Sequence, residues 1–110
     1  MEGQKNDKDK LPIFTVLCLQ FPNALKEVVK CSQAGHKQYP MDTDWQNFRR
    51  VDLSEKPFRY LEASFRHIFE SGGELVFDED MREHGDVLHL AQSIWNQLAH
   101  LERKLKDNTE

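Results

Sequence analysis

Cysteine, glycine, proline and long apolar runs are all scarce in this chain of 110 residues, and each scarcity removes a class of protein. The two cysteines, Cys18 and Cys31, have no second pair to work with, so they form neither a disulfide framework nor a zinc knuckle. They read as reduced, mostly buried thiols of a cytoplasmic protein. The longest apolar stretch, LPIFTVLCLQF from Leu11 to Phe21, is too short for a bilayer and is broken by Thr15 and Gln20. A mixed-charge segment precedes it, but no small-residue cleavage site follows, so it is not a signal peptide. With a net charge of −4 there is no basic excess to grip duplex nucleic acid. A small anionic ligand needs only a local basic cluster. The five glycines make no phosphate-cradling loop, since Gly72-Gly73 reads as a helix terminator. No Ser–His–Asp or Cys–His arrangement stands out, and there is no internal repeat.

What is present is helical patterning on the scale of one domain, long enough to bury a core without staples. Residues 1–10 (MEGQKNDKDK) are polar and predict a disordered tail; residues 11–106 form the single domain. Leu11–Phe21 favours a short strand or an extended arm through Ile13, Phe14, Val16 and Leu17. Pro22-Asn23 starts a helix, Leu25, Val28, Val29 and Ser32 carry it, and Gly35 stops it. His36 to Lys56 reads as a loop anchored by Trp45. Ser54 and Pro57 mark a second helix start. Its apolar stripe is Tyr60, Leu61, Ser64, Phe65, Ile68 and Phe69, ended by Ser71-Gly72-Gly73. A last helix runs from about Arg82 to Lys106. The expected fold is therefore all-α, a small bundle of three to four helices whose thin core is completed by oligomerisation.

Two constellations carry chemistry. Glu83 and Asp86 share a helix face, and His67 and Glu70 repeat that spacing across the hairpin. Brought together, Glu70, Glu83 and Asp86 make a mainly oxygen-donor pocket suited to Mg²⁺ or Mn²⁺. The plainer alternative is that acidic residues in a first turn complement the helix dipole. The second constellation is basic and aromatic: Lys37, Tyr39, Trp45, Arg49, Arg50, Arg59 and Arg66. Arg59 or Arg66 can grip a phosphate and Tyr39 or Trp45 can stack on a base; equally, the arginines can be a solvated face and Trp45 a core residue. His67 and His89 each have a carboxylate three residues away, which can fix a tautomer. Against that stands the commoner role of a hydrogen-bonded core histidine.

The ordered pieces FPNAL, AGHKQYP, the tryptophan of DTDWQNF, PFRYLEASFRH and VLHLAQSIWNQLAHLE resemble the phage-associated dATP/dGTP diphosphohydrolase N-terminal domain, related to the all-α MazG-like nucleotide pyrophosphohydrolases. The likeness spans Leu11 to Leu105. It selects Gly35, Lys37, Tyr39, Trp45, Arg59, Arg66, His67, His89, Trp95 and Asn96, with Glu62 at an acidic position. The chain departs from it in two places. Gln92 stands where the family has the second histidine of H-L-A-H, and DEDMREHGDV replaces a D-x-x-T-G-L connection. Against the MazG-like pattern, His67 occupies an expected acidic position.

The resemblance implies metal-dependent hydrolysis of a purine (deoxy)nucleoside triphosphate to monophosphate and pyrophosphate, in the cytoplasm of a phage's host. Mg²⁺ or Mn²⁺ would sit on Glu70, Glu83 and Asp86. Lys37, Arg59 and Arg66 would hold the phosphates, Tyr39 and Trp45 the base, and His67, His89 and Glu70 would act on water or the leaving group. The alternative is a nucleotide-binding module without turnover, seated in an oligomer interface. Neither reading includes a membrane or duplex nucleic acid as partner.

Overall fold

The computed structural model describes residues 10–38 and 57–109. The predicted tail, apart from Lys10, and most of the predicted loop, including Tyr39 and Trp45, lie outside them. Three α-helices dominate: α1 (Pro22–Gln38), α2 (Arg59–Ser71) and α3 (His89–Thr109). A π-helical segment, Phe14–Cys18, precedes α1, and a short 3₁₀ turn, Glu79–Met81, lies between α2 and α3. The architecture is all-α, with a single bridge, Phe77 to Leu88, as the β pairing among the described residues.

Pro22 opens α1 where its missing N–H costs nothing, and the Phe21 carbonyl accepts the bond from the Leu25 N–H at 3.0 Å. The helix runs through Gly35 to Gln38 rather than stopping at the glycine. Gly35 is not among the positive-φ glycines. A helical glycine costs about 1 kcal/mol against alanine, too little to end a helix whose neighbours pack. One of those neighbours, Ala34, is fully buried. The arm at Leu11–Phe21 is not a strand: Leu19 N–H donates to the Phe14 carbonyl at 3.1 Å, an i→i+5 turn. β-Propensity is a weak preference that a strand realises only beside a partner strand.

α2 ends where Gly72 adopts φ 61° and donates to the Ile68 carbonyl at 2.8 Å, the left-handed cap that glycine makes without strain. Its buried stripe differs from the apolar one expected. The inward residues are Tyr60, Ser64, His67 and Ser71, while Phe65, Ile68 and Phe69 are exposed. Helical spacing of four, three and four keeps that polar stripe on one face.

α3 starts at His89, not near Arg82. Asp78 N–H donates to the Val87 carbonyl (2.8 Å) and His89 N–H to the Val76 carbonyl (2.9 Å). These bonds hold residues 76–78 and 87–89 side by side, so the backbone before His89 is committed to this pairing and not to a helix. Asp78 caps the 3₁₀ turn, its Oδ1 accepting from Asp80 N–H at 3.0 Å. At the other end α3 passes Lys106 and reaches Thr109.

α3 packs chiefly on α2 and secondarily on α1. Among the pairs that join α2 to α3 are His67 to His89, Ser64 to Ser93, and Tyr60 to Trp95. Their opposite numerical order makes the two helices antiparallel. The Tyr60 and Trp95 rings meet edge to face at 6.0 Å. The Trp95 indole donates to Ser32 Oγ at 2.7 Å, tying α1 to α3. Small buried residues on α3, Ala91, Ser93 and Ala99, let the neighbouring backbones come close. No helix among the described residues is long and apolar enough to cross a membrane.

Candidate metal centre

The buried end of the α2–α3 interface is polar. His67 comes from the inward stripe of α2 and His89 from the first position of α3, so the antiparallel pairing sets the imidazoles face to face. Their Nδ1 atoms are 2.8 Å apart and the ring centroids 5.1 Å. Glu70, one turn beyond His67, reaches in from the rim, with Oε2 at 3.3 Å from His89 Nδ1. His67 and His89 are buried, and Glu70 is exposed. His67, Glu70 and His89 bring one ligand atom each to within 4.8 Å of one another.

Asp78 stands beside His89, outside the trio whose ligand atoms lie within 4.8 Å of one another. It is buried, and its Oδ2 lies 4.0 Å from His89 Nδ1. The Gln92 amide donates to that oxygen at 2.7 Å. Gln92 is one helical turn from His89, so α3 supplies both an imidazole and the group that orients the carboxylate beside it.

The electrostatics favour a lone pair on His67. Burial pushes its imidazole below the ordinary range, the Arg66 and His89 charges push the same way, and Asp78 and Glu70 oppose them in part. The Cys31 thiol is pushed up to about 12, by burial first and then by the Glu27 and Asp78 carboxylates. It is therefore a protonated thiol and no metal ligand at neutral pH.

The cluster fits a cation. If His89 Nδ1 carries a proton, that proton can point to only one of His67 Nδ1, Glu70 Oε2 and Asp78 Oδ2, whereas a cation can serve all of them. Imidazole and carboxylate are ordinary ligands for divalent metals.

Of the residues singled out by sequence, the structure gathers His67, His89 and Glu70. It does not gather Glu83 and Asp86 with Glu70. Glu83 points to solvent and pairs with His84 at 3.3 Å; Asp86 is exposed and accepts from Arg82 at 2.9 Å. They were expected on the first turn of a helix, but the chain there is a turn closed by the Arg82 ion pairs with Glu79 and Asp86. Arg59 and Arg66 are exposed on α2, and Arg66 is near enough for its charge to act on His67. Lys37 is exposed and lines a separate cleft of about 270 Å³ with Lys30, His84 and Asp86. Tyr39 and Trp45 lie outside the described residues.

Asp78 was not foreseen. Its signal was local: an aspartate two residues before Asp80 is an Asx cap, and it stands at the first position of the unusual acidic connection. Gln92, which looked like the loss of an imidazole, supplies an N–H to that aspartate.

The family described as dATP/dGTP diphosphohydrolase, N-terminal, matches the chain over residues 1–110. No curated protein and no solved structure matches it.

Proposed function

We propose, on the premise that the chain belongs to the dATP/dGTP diphosphohydrolase N-terminal family, that it hydrolyses a purine (deoxy)nucleoside triphosphate to the monophosphate and pyrophosphate with a divalent metal. The observation that carries this reading is the convergence of His67 Nδ1, His89 Nδ1 and the Glu70 carboxylate on one point. These three side chains would hold the metal. When bound, such an ion polarises phosphoryl oxygens and makes water a nucleophile near neutral pH.

The chain's own groups do the rest. His67, held neutral by burial and by Arg66, keeps its Nδ1 lone pair available at physiological pH. Glu70, at the solvent side, marks where a water-borne substrate meets the buried imidazoles. Arg59 and Arg66, seven residues apart, share a face of α2, and Arg66 puts positive charge near His67. A triphosphate lying along that face would have its charge offset as a P–O bond breaks. Lys37, Tyr39 and Trp45 remain assigned to the substrate by the family likeness. A cytoplasmic location and a homo-oligomer belong to the same reading.

The test is direct. The purified chain is incubated with each deoxy- and ribonucleoside triphosphate and Mg²⁺, Mn²⁺ or Co²⁺, and pyrophosphate is measured. Release from purine deoxynucleotides, lost in His67→Ala and His89→Ala, is the expected result. No pyrophosphate from any combination would refute hydrolysis. A nucleotide-dependent rise in melting temperature without release would instead mark a binding module.

A further inference from the structure

We propose that Asp78 is a fourth ligand of this centre, aimed by Gln92, and that the resulting set of two imidazoles and two carboxylates selects a first-row transition dication over Mg²⁺. The inference rests on the metal-dependent reading above and adds to it a residue, its positioning partner and the class of ion.

The distances come first. Metal–ligand bonds of about 2.0–2.2 Å place neighbouring donors roughly 2.8–3.1 Å apart in octahedral sites and roughly 3.3–3.6 Å apart in tetrahedral ones. From His89 Nδ1, His67 Nδ1 is at 2.8 Å and Glu70 Oε2 at 3.3 Å, so both already stand near ligand–ligand separation. Asp78 Oδ2, at 4.0 Å from His89 Nδ1, stands further out and would have to move inward to ligate.

Burial makes the same point. Asp78 is only 6% exposed, and among the described residues its one ion-pairing neighbour is His89. Its other partners are two neutral N–H groups, from Gln92 and Asp80. A buried carboxylate that lacks a full countercharge is costly, and a bound cation removes the cost. Gln92 then acts as outer-shell partners do: it fixes which oxygen of Asp78 faces the imidazoles.

The donor set decides the ion. Mg²⁺ prefers six oxygens in near-ideal octahedral array and keeps several waters. Imidazole nitrogens suit Mn²⁺, Fe²⁺, Co²⁺ and Zn²⁺ far better, and two of the four donors here are imidazoles.

The experiment reads binding without nucleotide. Metal-free protein is titrated with Co²⁺, followed by its visible absorption, and with Mn²⁺ and Mg²⁺ by calorimetry. One transition ion per chain, bound at least ten-fold more tightly than Mg²⁺, is expected. Asp78→Asn should weaken Co²⁺ binding by more than ten-fold. Gln92→Leu should weaken it roughly ten- to hundred-fold, the usual scale for an outer-shell partner. Gln92→His, which restores an N–H donor, should recover most of that loss. Thermal melts of each metal-free variant confirm folding, and Gln92→His keeps the test decisive if Asp78→Asn does not fold. Equal or tighter Mg²⁺ binding overturns the ion class. Undiminished Co²⁺ affinity in Asp78→Asn, with loss in His67→Ala, overturns the fourth ligand. In both cases pyrophosphate release with any of Mg²⁺, Mn²⁺ or Co²⁺ would leave the proposed function standing, whereas no release with any of the three removes the function itself.

Discussion

Breaking the Ser64–Ser93 hydrogen bond tests whether the α2–α3 contact sets the spacing of the histidines. The two hydroxyls are 2.9 Å apart, and the residues are 2% and 0% exposed. Ser64 lies one turn before His67, and Ser93 one turn after His89, so this is the nearest cross-link to the centre. Ser93→Ala strips Ser64 of its cross-helix partner and Gln97 Nε2 of an acceptor at 3.3 Å. A buried hydroxyl left unpaired costs about 1–3 kcal/mol. Ser64→Ala should cost less, about 1 kcal/mol, because Ser93 still accepts from Gln97. The double variant replaces both partners with apolar groups, which is close to neutral, so the cycle should show a coupling of about 2 kcal/mol or more. In a domain of this size each kcal/mol moves the melting temperature by about 4–8 °C. Urea melts of the four proteins give the energies, and Co²⁺ titration of the same four reads the centre. The single variants should lose both stability and Co²⁺ affinity, and the double variant should recover much of each. Single losses that sum to the double loss within about 0.5 kcal/mol would refute the reasoning. Ser64 would then be bonding back to its own helix and not across it.

Further outcomes follow from the same contacts. Metal-free protein should lose stability on acidification, because the folded state holds His67 below its ordinary value. That contribution is full above the unfolded imidazole value of about 6.5 and fades as the pH falls toward and through the lowered folded value. Urea midpoints between pH 8 and 5 should show the fall, and His67→Gln should flatten it. At pH 8 iodoacetamide should modify the exposed Cys18 and spare Cys31, whose thiol is pushed up to about 12; equal labelling by mass spectrometry would contradict the burial of Cys31. The stability contributed by that neutral thiol is full below about pH 9 and declines as the pH rises toward 12. Glu83→Gln and Asp86→Asn should leave Co²⁺ affinity unchanged and alter stability by less than about 0.5 kcal/mol, since both side chains are exposed.

Local chemistry was legible in the sequence wherever a residue acts on its own neighbourhood. Pro22 starts a helix and Gly72 stops one for reasons contained within four residues. His67 and His89 were each legible as chemistry-bearing residues, but not as a pair; the antiparallel packing of α2 on α3 joins them beside the connection between the two helices. Reading failed where burial and polarity part company. The apolar stripe expected on α2 is inward at Tyr60 and Ser64, but the same buried face continues through His67 and Ser71, while Phe65, Ile68 and Phe69 are exposed. A functional interface buries polar groups that satisfy one another, and periodicity of apolar residues carries no trace of that. The start of α3 was misplaced for a related reason. Arg82 and Glu83 are ordinary helix formers, but Gly85 is a poor one, and the sideways bonds around Phe77 and Leu88, eleven positions apart, decide against a helix there.

Asp78 shows how one side chain joins the two kinds of information. Its Oδ1 accepts from Asp80 N–H and shapes the turn, which is local; its Oδ2 accepts from Gln92 and faces His89, which is not. An asparagine here can keep the cap through its carbonyl oxygen. Its NH₂ would then sit where Oδ2 was, a donor facing the Gln92 donor and the imidazoles. A serine would keep a cap acceptor but reach no further. Only a carboxylate serves the turn and the histidines together, so the acidic connection is part of the centre and not merely the link between its helices. The same logic explains why Gln92 is tolerable at a position where a histidine was expected. The carboxylate it faces needs a donor, and an amide N–H meets that need as an imidazole N–H does.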